Sequence, residues 1–311
     1  GVTTAHEFAA QGHEVTVYER RGSVAEETSF ANAGVIAPGY VTPWAAPGMP
    51  AKVIQHLLSR HAPVRLGGAG VLAQLPWLWQ WWRACRPQVH EANRRAMHDL
   101  ARFSRERTLE LTRTLGLEYE QMPGYMVLLR SEAELAQAQA GLALLRSLGV
   151  THELIDATRA RWIEPALNLA MRLHAAVHLP QDGVGNCRQF AQLMKAQAQK
   201  LGTRFHFDTT VATVRPGQRP SVELQGSEQQ AFDAVIICAG VQANAVLKVV
   251  GLKLPLAAVH GYSITAPIRH VDGQPDPGPR TALMDERYKV AISRLGQRVR
   301  VAGSVDRKSV V

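Results

Sequence analysis

Gly1-Val-Thr-Thr-Ala-His-Glu-Phe-Ala-Ala-Gln-Gly12, followed by Glu14-Val-Thr-Val-Tyr-Glu19, is the stretch whose reading decides the fold. Residues 1–11 are helix formers. Gly12 stands where a stop is wanted, because glycine enters the left-handed cap without a Cβ penalty. Residues 14–19 alternate and are rich in β-formers, which predicts a strand. A helix, a short turn and a strand ending in an acid make the second half of a βαβ unit.

Outward from this unit, residues 35–50 hold Pro38, Pro43, Pro47 and Pro50 with Gly39 and Gly48, an irregular loop. Leu75, Leu78, Trp79 and Trp82 fall at helical spacing, with Pro76 placed in the first turn. Residues 91–115 read as a long Arg-rich helix, and Tyr125–Leu129 as a strand. Ser131 and Glu134 form a capping box for a helix that stops at Gly149. His178-Leu-Pro-Gln-Asp-Gly183 reads as a strand passing into a turn. Arg188–Leu201 reads as a helix with Phe190, Leu193, Met194 and Leu201 on one face. Strands are expected at 204–207 and 211–215. Phe232-Asp-Ala-Val-Ile-Ile-Cys-Ala-Gly240 reads as a buried strand ending in a tight turn. Further strands are expected at 258–266, 288–294 and 298–303. There is no internal repeat and no low-complexity segment.

The chain has 311 residues, enough for two domains at about 150 residues each. Apolar residues make up 46% and charged residues 20%, which excludes a disordered, collagenous or coiled-coil chain. No run of about 18 uncharged apolar residues occurs, so no membrane-spanning helix is expected. The formal charge of +9 suits nucleic acid, acidic lipid or anionic small molecules. The basic helix also carries Glu91, Asp99, Glu106 and Glu110 and shows no nucleic-acid motif, so a nucleic-acid partner is not expected. Cys85, Cys187 and Cys238 are too few and too scattered for a disulfide framework, which favours a reducing compartment. Residue 1 is Gly rather than Met and no strand precedes it. A piece lacking both natural ends is therefore expected.

A dinucleotide site needs glycines, a helix N-terminus that offers amides to phosphate, and an acid at the tip of the second strand for ribose hydroxyls. Gly1 fits the last glycine of such a set, and Glu19 ends its strand 18 residues later. The same acid also reads as an ordinary solvated strand end. Ala234–Gly240 can pass close to a cofactor on its small residues, or be a plain core strand. Glu26–Gly34 is small and polar, and reads equally as a surface turn. There is no Cys-x-x-Cys pair and no His-Glu-x-x-His, so no metal site is expected. No Gly-x-Ser-x-Gly elbow occurs either.

Glu27-Thr-Ser-Phe-Ala-Asn-Ala-Gly34, Ala37-Pro-Gly-Tyr40 and Pro43-Trp-Ala-Ala-Pro-Gly48 resemble the bacterial D-amino acid dehydrogenase small-subunit family, within the D-amino acid oxidase-like flavoproteins. The likeness continues in order through Arg60–Pro63, Glu164–Leu167, Leu179-Pro180, Gly261-Tyr-Ser263 and Asp285–Arg294. It implies an α/β fold, with a Rossmann-like FAD-binding domain interleaved with an α+β substrate domain built on a mixed sheet. Residues 1–60 and 166–250 are assigned to the FAD-binding domain, and 61–165 and 251–311 to the substrate domain. By resemblance, Gly1 is the last fingerprint glycine, Glu19 the ribose acid and Arg20 its cofactor-side neighbour. Ser29, Asn32, Ala33 and Gly34 match the segment near the isoalloxazine ring. Val211 matches the residue whose backbone meets the adenine, and Ala239 and Gly240 match a second cofactor-facing turn. The first strand, two fingerprint glycines and a C-terminal Arg-bearing segment are missing from this sequence. Val259-His260 stands where the family pattern has Leu-Lys.

The resemblance implies FAD-dependent oxidation of a D-alanine-like D-amino acid to an imine, then to a 2-oxo acid and ammonia. Electrons would pass to a quinone or similar acceptor. The chain would be cytoplasmic, with peripheral contact on the inner face of the plasma membrane. Such a site needs a cation or donor for the substrate carboxylate; Tyr262, Tyr288 and Arg294 are the candidates, with Lys289 and His260 behind them. Each also has a structural reading, Tyr262 as a buried phenol bonded to backbone and Arg294 and Lys289 as solvated sheet residues. Trp77, Trp79, Trp81 and Trp82 beside Arg83 and Arg86 suit either a lipid interface or a packing helix. The alternatives are a D-amino acid or glycine oxidase using oxygen, and a catalytically inactive fragment of such an enzyme.

Overall fold

The computed structural model describes residues 1–51, 53, 71–226 and 229–306. It is α/β, and its contacts divide the chain into two compact, interleaved units. The first comprises Gly1–Phe30 and Cys187–Ala258, the second Ala31–Asn186 and Val259–Val311. These divisions lie away from the 60/61, 165/166 and 250/251 boundaries drawn from sequence. For the 165/166 boundary the reason is a ladder: strands β2 (Val35–Ile36) and β5 (Ala175–Gly185) pair with each other inside one large sheet, which keeps residues up to Asn186 in the second unit. At the third boundary the first unit runs on to Ala258.

In the first unit, helix α1 (Val2–Ala10) leads into β1 (Thr16–Tyr18). β1 runs parallel to β6 (Arg204–His206), with Thr16 opposite Arg204. Helix α6 (Cys187–Lys200) packs on α1, Met194 and Ala198 being buried on one side and Ala5 and Ala9 on the other. The expected fourth member of the α6 face, Leu201, is exposed beyond the helix end. Strands β7 (Val211–Arg215), β8 (Ser221–Leu224) and β9 (Gln229–Ala231) form an antiparallel sheet. Short helix α7 (Ala243–Leu247) follows the Gly240 turn. The buried strand expected over 232–240 is a correction. Residues 232–239 join no ladder among the described residues, and their side chains alternate between exposed and half-buried. Apolar content alone does not supply the hydrogen-bond partners a strand requires.

The second unit holds eight described strands in the order β10–β13–β12–β11–β3–β5–β2, with β4 also on β5. They are β3 (Gln121–Leu129), β4 (Glu153–Asp156), β10 (His260–Pro267), β11 (Ala282–Asp285), β12 (Val290–Leu295) and β13 (Arg298–Asp306), besides β2 and β5. β11 runs parallel to β3 and the other pairs are antiparallel, so the sheet is mixed. Helix α4 (Glu132–Ser147) closes one face over Tyr125, Val127, Leu129, Val177 and Leu179, through Leu142 and Leu145. Helix α5 (Ala157–Ile163) closes part of the other over Met126, Leu128 and Ala176, through Ala160.

The Ser131 hydroxyl caps α4 by accepting from the Glu134 amide, as the capping box requires. The return bond differs: the Glu134 carboxylate accepts from the Arg130 amide at 2.6 Å instead of from Ser131. The turn expected at 180–183 is replaced by continuous β5. Pro180 is tolerated because it falls between the stretch paired with β4 and the stretch paired with β2, opposite a register shift in β3. β11 was not foreseen.

Helices α2 (Val71–Ala84) and α3 (Pro87–Thr114) lie in the same unit. Pro76 sits inside α2, not in its first turn. It removes one helical donor there, which a surface helix can offset with water. In α3 Leu111 is buried, but three polar side chains also turn inward. His90 bonds the Ala45 carbonyl at 2.8 Å, His98 the Pro38 carbonyl at 3.0 Å, and Arg105 the Gln181 carbonyl at 3.0 Å. Val89, Met97, Leu100 and Phe103 are exposed instead. Trp79 and Trp82 of α2 stack on each other at 5.1 Å and are also exposed.

Candidate functional site

In the first unit, Gly1 caps α1 without a side-chain bond, and the first turn carries no acidic residue. Its unpaired amides and the positive end of the helix dipole are therefore available to an anion. The Cys238 Cβ lies 3.5 Å from where a Gly1 Cβ would stand, so Gly1 and the Ala239–Gly240 turn come together. Gly240 has φ +52° and open space around it, a backbone conformation that suits glycine.

Glu19 follows β1. Its amide donates to the His206 carbonyl at 2.9 Å, while one carboxylate oxygen accepts from the Arg21 amide at 2.9 Å. The other oxygen enters no ion pair among the described residues. Arg20 is turned to Glu27, which Arg21 also bonds at 3.0 Å. These arginines, Arg20 first, hold the Glu27 carboxyl below the usual carboxylate range. Ser29 is half-buried, and Phe30 lies under the Arg188 guanidinium at 4.2 Å. Val211 opens β7 opposite Leu224, at a register irregularity.

In the second unit, residues 31–34 are held by their backbone from three strands. Ser263 Oγ of β10 donates to the Ala31 carbonyl at 2.8 Å. Arg300 Nη1 of β13 donates to the Asn32 carbonyl at 2.9 Å. Ser293 Oγ of β12 donates to the Ala33 carbonyl at 2.7 Å. The Asn32 side chain accepts from the Gly34 amide at 3.1 Å, and the Gly34 carbonyl accepts from the Gly185 amide at 2.8 Å. Gly34 has φ +71°, and a Cβ there would stand 2.6 Å from the Gly185 carbonyl oxygen, so only glycine fits.

Strand alternation separates the expected substrate residues from this clasp. Ser263 is in register with Ala302 and Ala291, two residues before Ser293, so both serines share a face. Tyr262 is in register with Gly303 and Val290, and therefore points to the opposite face together with Arg294. Those two stand four rows apart, about 13 Å along the strand at a rise of about 3.3 Å per residue. Tyr262 is 53% exposed, which corrects the expectation of a buried phenol. Arg294 is committed locally, to Asp276 at 2.7 Å and to the Gly296 carbonyl at 3.0 Å. Tyr288 is exposed beneath Arg130 at 5.2 Å and Arg287 at 5.6 Å. Lys289 has φ +53° and pairs with Glu286, which also accepts from the Tyr40 hydroxyl. Burial, then Glu286, pushes the Tyr40 phenol far up. His260 is exposed at the start of β10. No contact among the described residues joins Tyr262, Tyr288 and Arg294 into one constellation. Arg60–Pro63 lies outside the described residues.

A family model described as FAD dependent oxidoreductase, DAO, matches residues 1–310. The chain belongs to the DAO family of FAD-dependent oxidoreductases. FAD is the cofactor of this family, and the adenosine half of the site suits it: amides at a helix start, an acid at a strand tip and a close glycine turn. Glycine oxidase from Geobacillus kaustophilus superposes with TM-score 0.66 at 19% identity, over 98% of this chain and 68% of that one. Iminodiacetate oxidase from Chelativorans sp. BNC1 gives 0.65 at 18% identity, over 99% and 70%. L-amino acid deaminase from Proteus vulgaris gives 0.67 at 12% identity, over 98% and 58%. The DAO-family chain thus spans roughly two thirds of these neighbours' length, and at such identities they share its fold.

Three residues that hold the 31–34 segment escaped the sequence reading: Ser263, Ser293 and Arg300. One signal was present. Ser293 alternates with Ala291 and Leu295, both buried, and a fully buried hydroxyl needs a hydrogen-bond partner.

Proposed function

We propose that the chain belongs to an FAD-dependent D-amino acid dehydrogenase acting on D-alanine-like substrates and delivering electrons to a quinone. The observation that carries this reading is the Asn32-Ala33-Gly34 segment, set by three strands, within a sequence that also has Pro43-Trp-Ala-Ala-Pro-Gly48. Bound FAD supplies the oxidation by taking the α-hydrogen with its electron pair, and the imine so formed hydrolyses to a 2-oxo acid and ammonia.

The rest falls to the chain's own residues. Gly1 and the first amides of α1 would receive the pyrophosphate. The oxygen of Glu19 that enters no described ion pair would accept from ribose hydroxyls. The Val211 backbone would meet the adenine, and Ala239–Gly240 would bring main chain close to the cofactor. Arg20 is left to hold Glu27. Ser29, Asn32, Ala33 and Gly34 would serve the flavin ring, the last three with their backbone already fixed by the strands. Orientation of this kind is worth about 7–11 kcal/mol of barrier in favourable cases. Of the expected candidates Tyr262 is the better one for the substrate carboxylate, being 53% exposed; it stands on the sheet face opposite the clasp, so the substrate would have to reach it from that side. Arg294 would first have to leave Asp276.

Peripheral contact with an acidic membrane surface belongs to the same proposal. The exposed Trp79, Trp82, Leu100 and Phe103 and the +9 charge support it. No helix among the described residues is long and apolar enough to cross a membrane.

The test is the visible spectrum of the purified chain with FAD, before and after anaerobic D-alanine, L-alanine or glycine. A protein-bound flavin band bleached by D-alanine alone, and restored by a soluble quinone faster than by oxygen, supports the dehydrogenase. Faster return with oxygen favours the oxidase. Bound flavin that no substrate bleaches makes the isolated chain inactive. Absence of a bound flavin band sinks the cofactor role of this chain. Failure to co-sediment with anionic vesicles at low salt removes the membrane element.

A further inference from the structure

A cleft of about 530 Å³ in the second unit uses none of the residues assigned to the cofactor. It is lined by Glu153, Arg159, Trp162, Ile163, His178 and Arg280. Glu153 and His178 face each other across the β4–β5 pair and form its sheet side. Arg159 and Trp162 come from α5, and Arg280 from the segment that enters β11.

The cleft is built rigidly. The Asp156 carboxylate caps α5 by accepting from the Arg159 amide at 2.7 Å. The Arg159 guanidinium lies 4.1 Å from the Trp162 ring centre. Glu164, fully buried just past α5, accepts from the Arg280 amide at 2.6 Å, the Thr281 amide at 2.9 Å and the Ala166 amide at 2.9 Å. One buried carboxylate thereby fixes where Arg280 stands relative to α5.

The side chains themselves are unspent. Arg159, Arg280 and Glu153 have no ion-pair partner among the described residues. Trp162 remains 69% exposed, with one ring face taken by Arg159. Burial, reinforced by Arg159 against the pull of Glu153, lowers the affinity of His178 for a proton, so the sheet side adds no third cation at neutral pH. Two guanidiniums, one carboxylate and an open indole face are the complement of a molecule carrying a carboxylate, an ammonium and an apolar group. A dianion such as phosphate would meet the arginines but also the Glu153 charge.

We propose that this cleft binds a free zwitterionic amino acid with an apolar side chain: its carboxylate between Arg159 and Arg280, its ammonium at Glu153, its side chain on Trp162. The inference does not depend on the flavin reading, since its readout is binding and not turnover.

The experiment is calorimetric titration of the purified chain with phenylalanine, 3-phenylpropionate (no ammonium), phenethylamine (no carboxylate) and inorganic phosphate. Saturable binding of phenylalanine, weakened by roughly tenfold or more on removing either charged group, is expected. Arg280→Gln should weaken it by roughly the same factor. Glu153→Gln should erase the preference over 3-phenylpropionate, and Trp162→Phe should keep binding that Trp162→Ser loses. All three positions are solvent-facing, and an unchanged circular dichroism spectrum verifies each fold. The proposal is overturned by no saturation at about 10 mM phenylalanine, by phosphate binding as well as phenylalanine, or by binding that survives both Arg280→Gln and Glu153→Gln. The flavin spectrum, measured separately, reports the other reading, so either can fail alone.

Discussion

Tyr125–Leu129 lies between β5 and β11 and is buried on both faces, whereas Ala234–Ala239, an equally apolar run, joins no described ladder and leaves Ile236 51% exposed. The first run has helix α4 on one side, α5 on the other and a strand along each edge. The second has the first turn of α1 beside Cys238, no paired strand among the described residues, and no fully buried residue. The difference teaches that an apolar run states a capacity for burial, and that its neighbours decide whether the capacity is used.

The comparison can be broken most directly by matched truncations. Leu129→Ala should cost about 3 kcal/mol, within the usual range for a buried leucine. Ile236→Ala should stay within about 0.5 kcal/mol, as for other surface positions. Urea denaturation of both variants checks this, and equal losses would mean that the two runs are not different in kind.

A pH series sharpens it next. Asp182 sits in β5 beside the register shift of β3, bonded by the Gly39 amide at 2.9 Å and by Arg105 at 3.4 Å. Burial, outweighing those partners, pushes its carboxyl up to about 6. Because the folded pKa exceeds the unfolded one, the folded state holds the extra proton between about pH 4 and 6. The contribution of this group to stability therefore falls as pH rises through that window, by about 2 kcal/mol. Asp182→Asn should remove that falling limb. Parallel pH profiles for the two proteins would show that the bulge side of β3 is not electrostatically strained.

The smallest effect concerns the lid over β3. Ser131→Ala should cost about 1 kcal/mol by uncapping α4, and Ser131→Asp should restore most of it. If thermal unfolding places Ser131→Ala level with the wild type, α4 is held by packing alone.

How far the sequence could be read follows the same logic. The α1–β1 unit, Glu19 at its tip, the Ser131 cap and the long helix, read at 91–115 and found at Pro87–Thr114, were legible because their signals are local. Pro180 misled because a proline usually ends a strand, and only the placement of β4 and β2 shows why it does not do so here. Arg294 read as an open cation because Asp276, 18 positions away, gives no local sign of being its partner. Ser263, Ser293 and Arg300 act on residues more than 200 positions earlier, a pairing that spacing cannot disclose. In the first unit Gly1 does come beside the Ala239–Gly240 turn and Glu19 does end its strand, while Arg20 is taken by Glu27. That Tyr262 and Arg294 share a face opposite Ser263 and Ser293 was not legible, since which face a strand residue takes depends on a register known only once the strands are paired.

The clasp on residues 31–33 grips carbonyl oxygens and no side chain. A change of side chain at Ala31 or Ala33 alters none of the groups that hold the segment, while a change at Ser263, Ser293 or Arg300 removes one of its three side-chain bonds whatever residues it contains. The frame of this segment is thus written outside it, in three side chains more than 200 positions later.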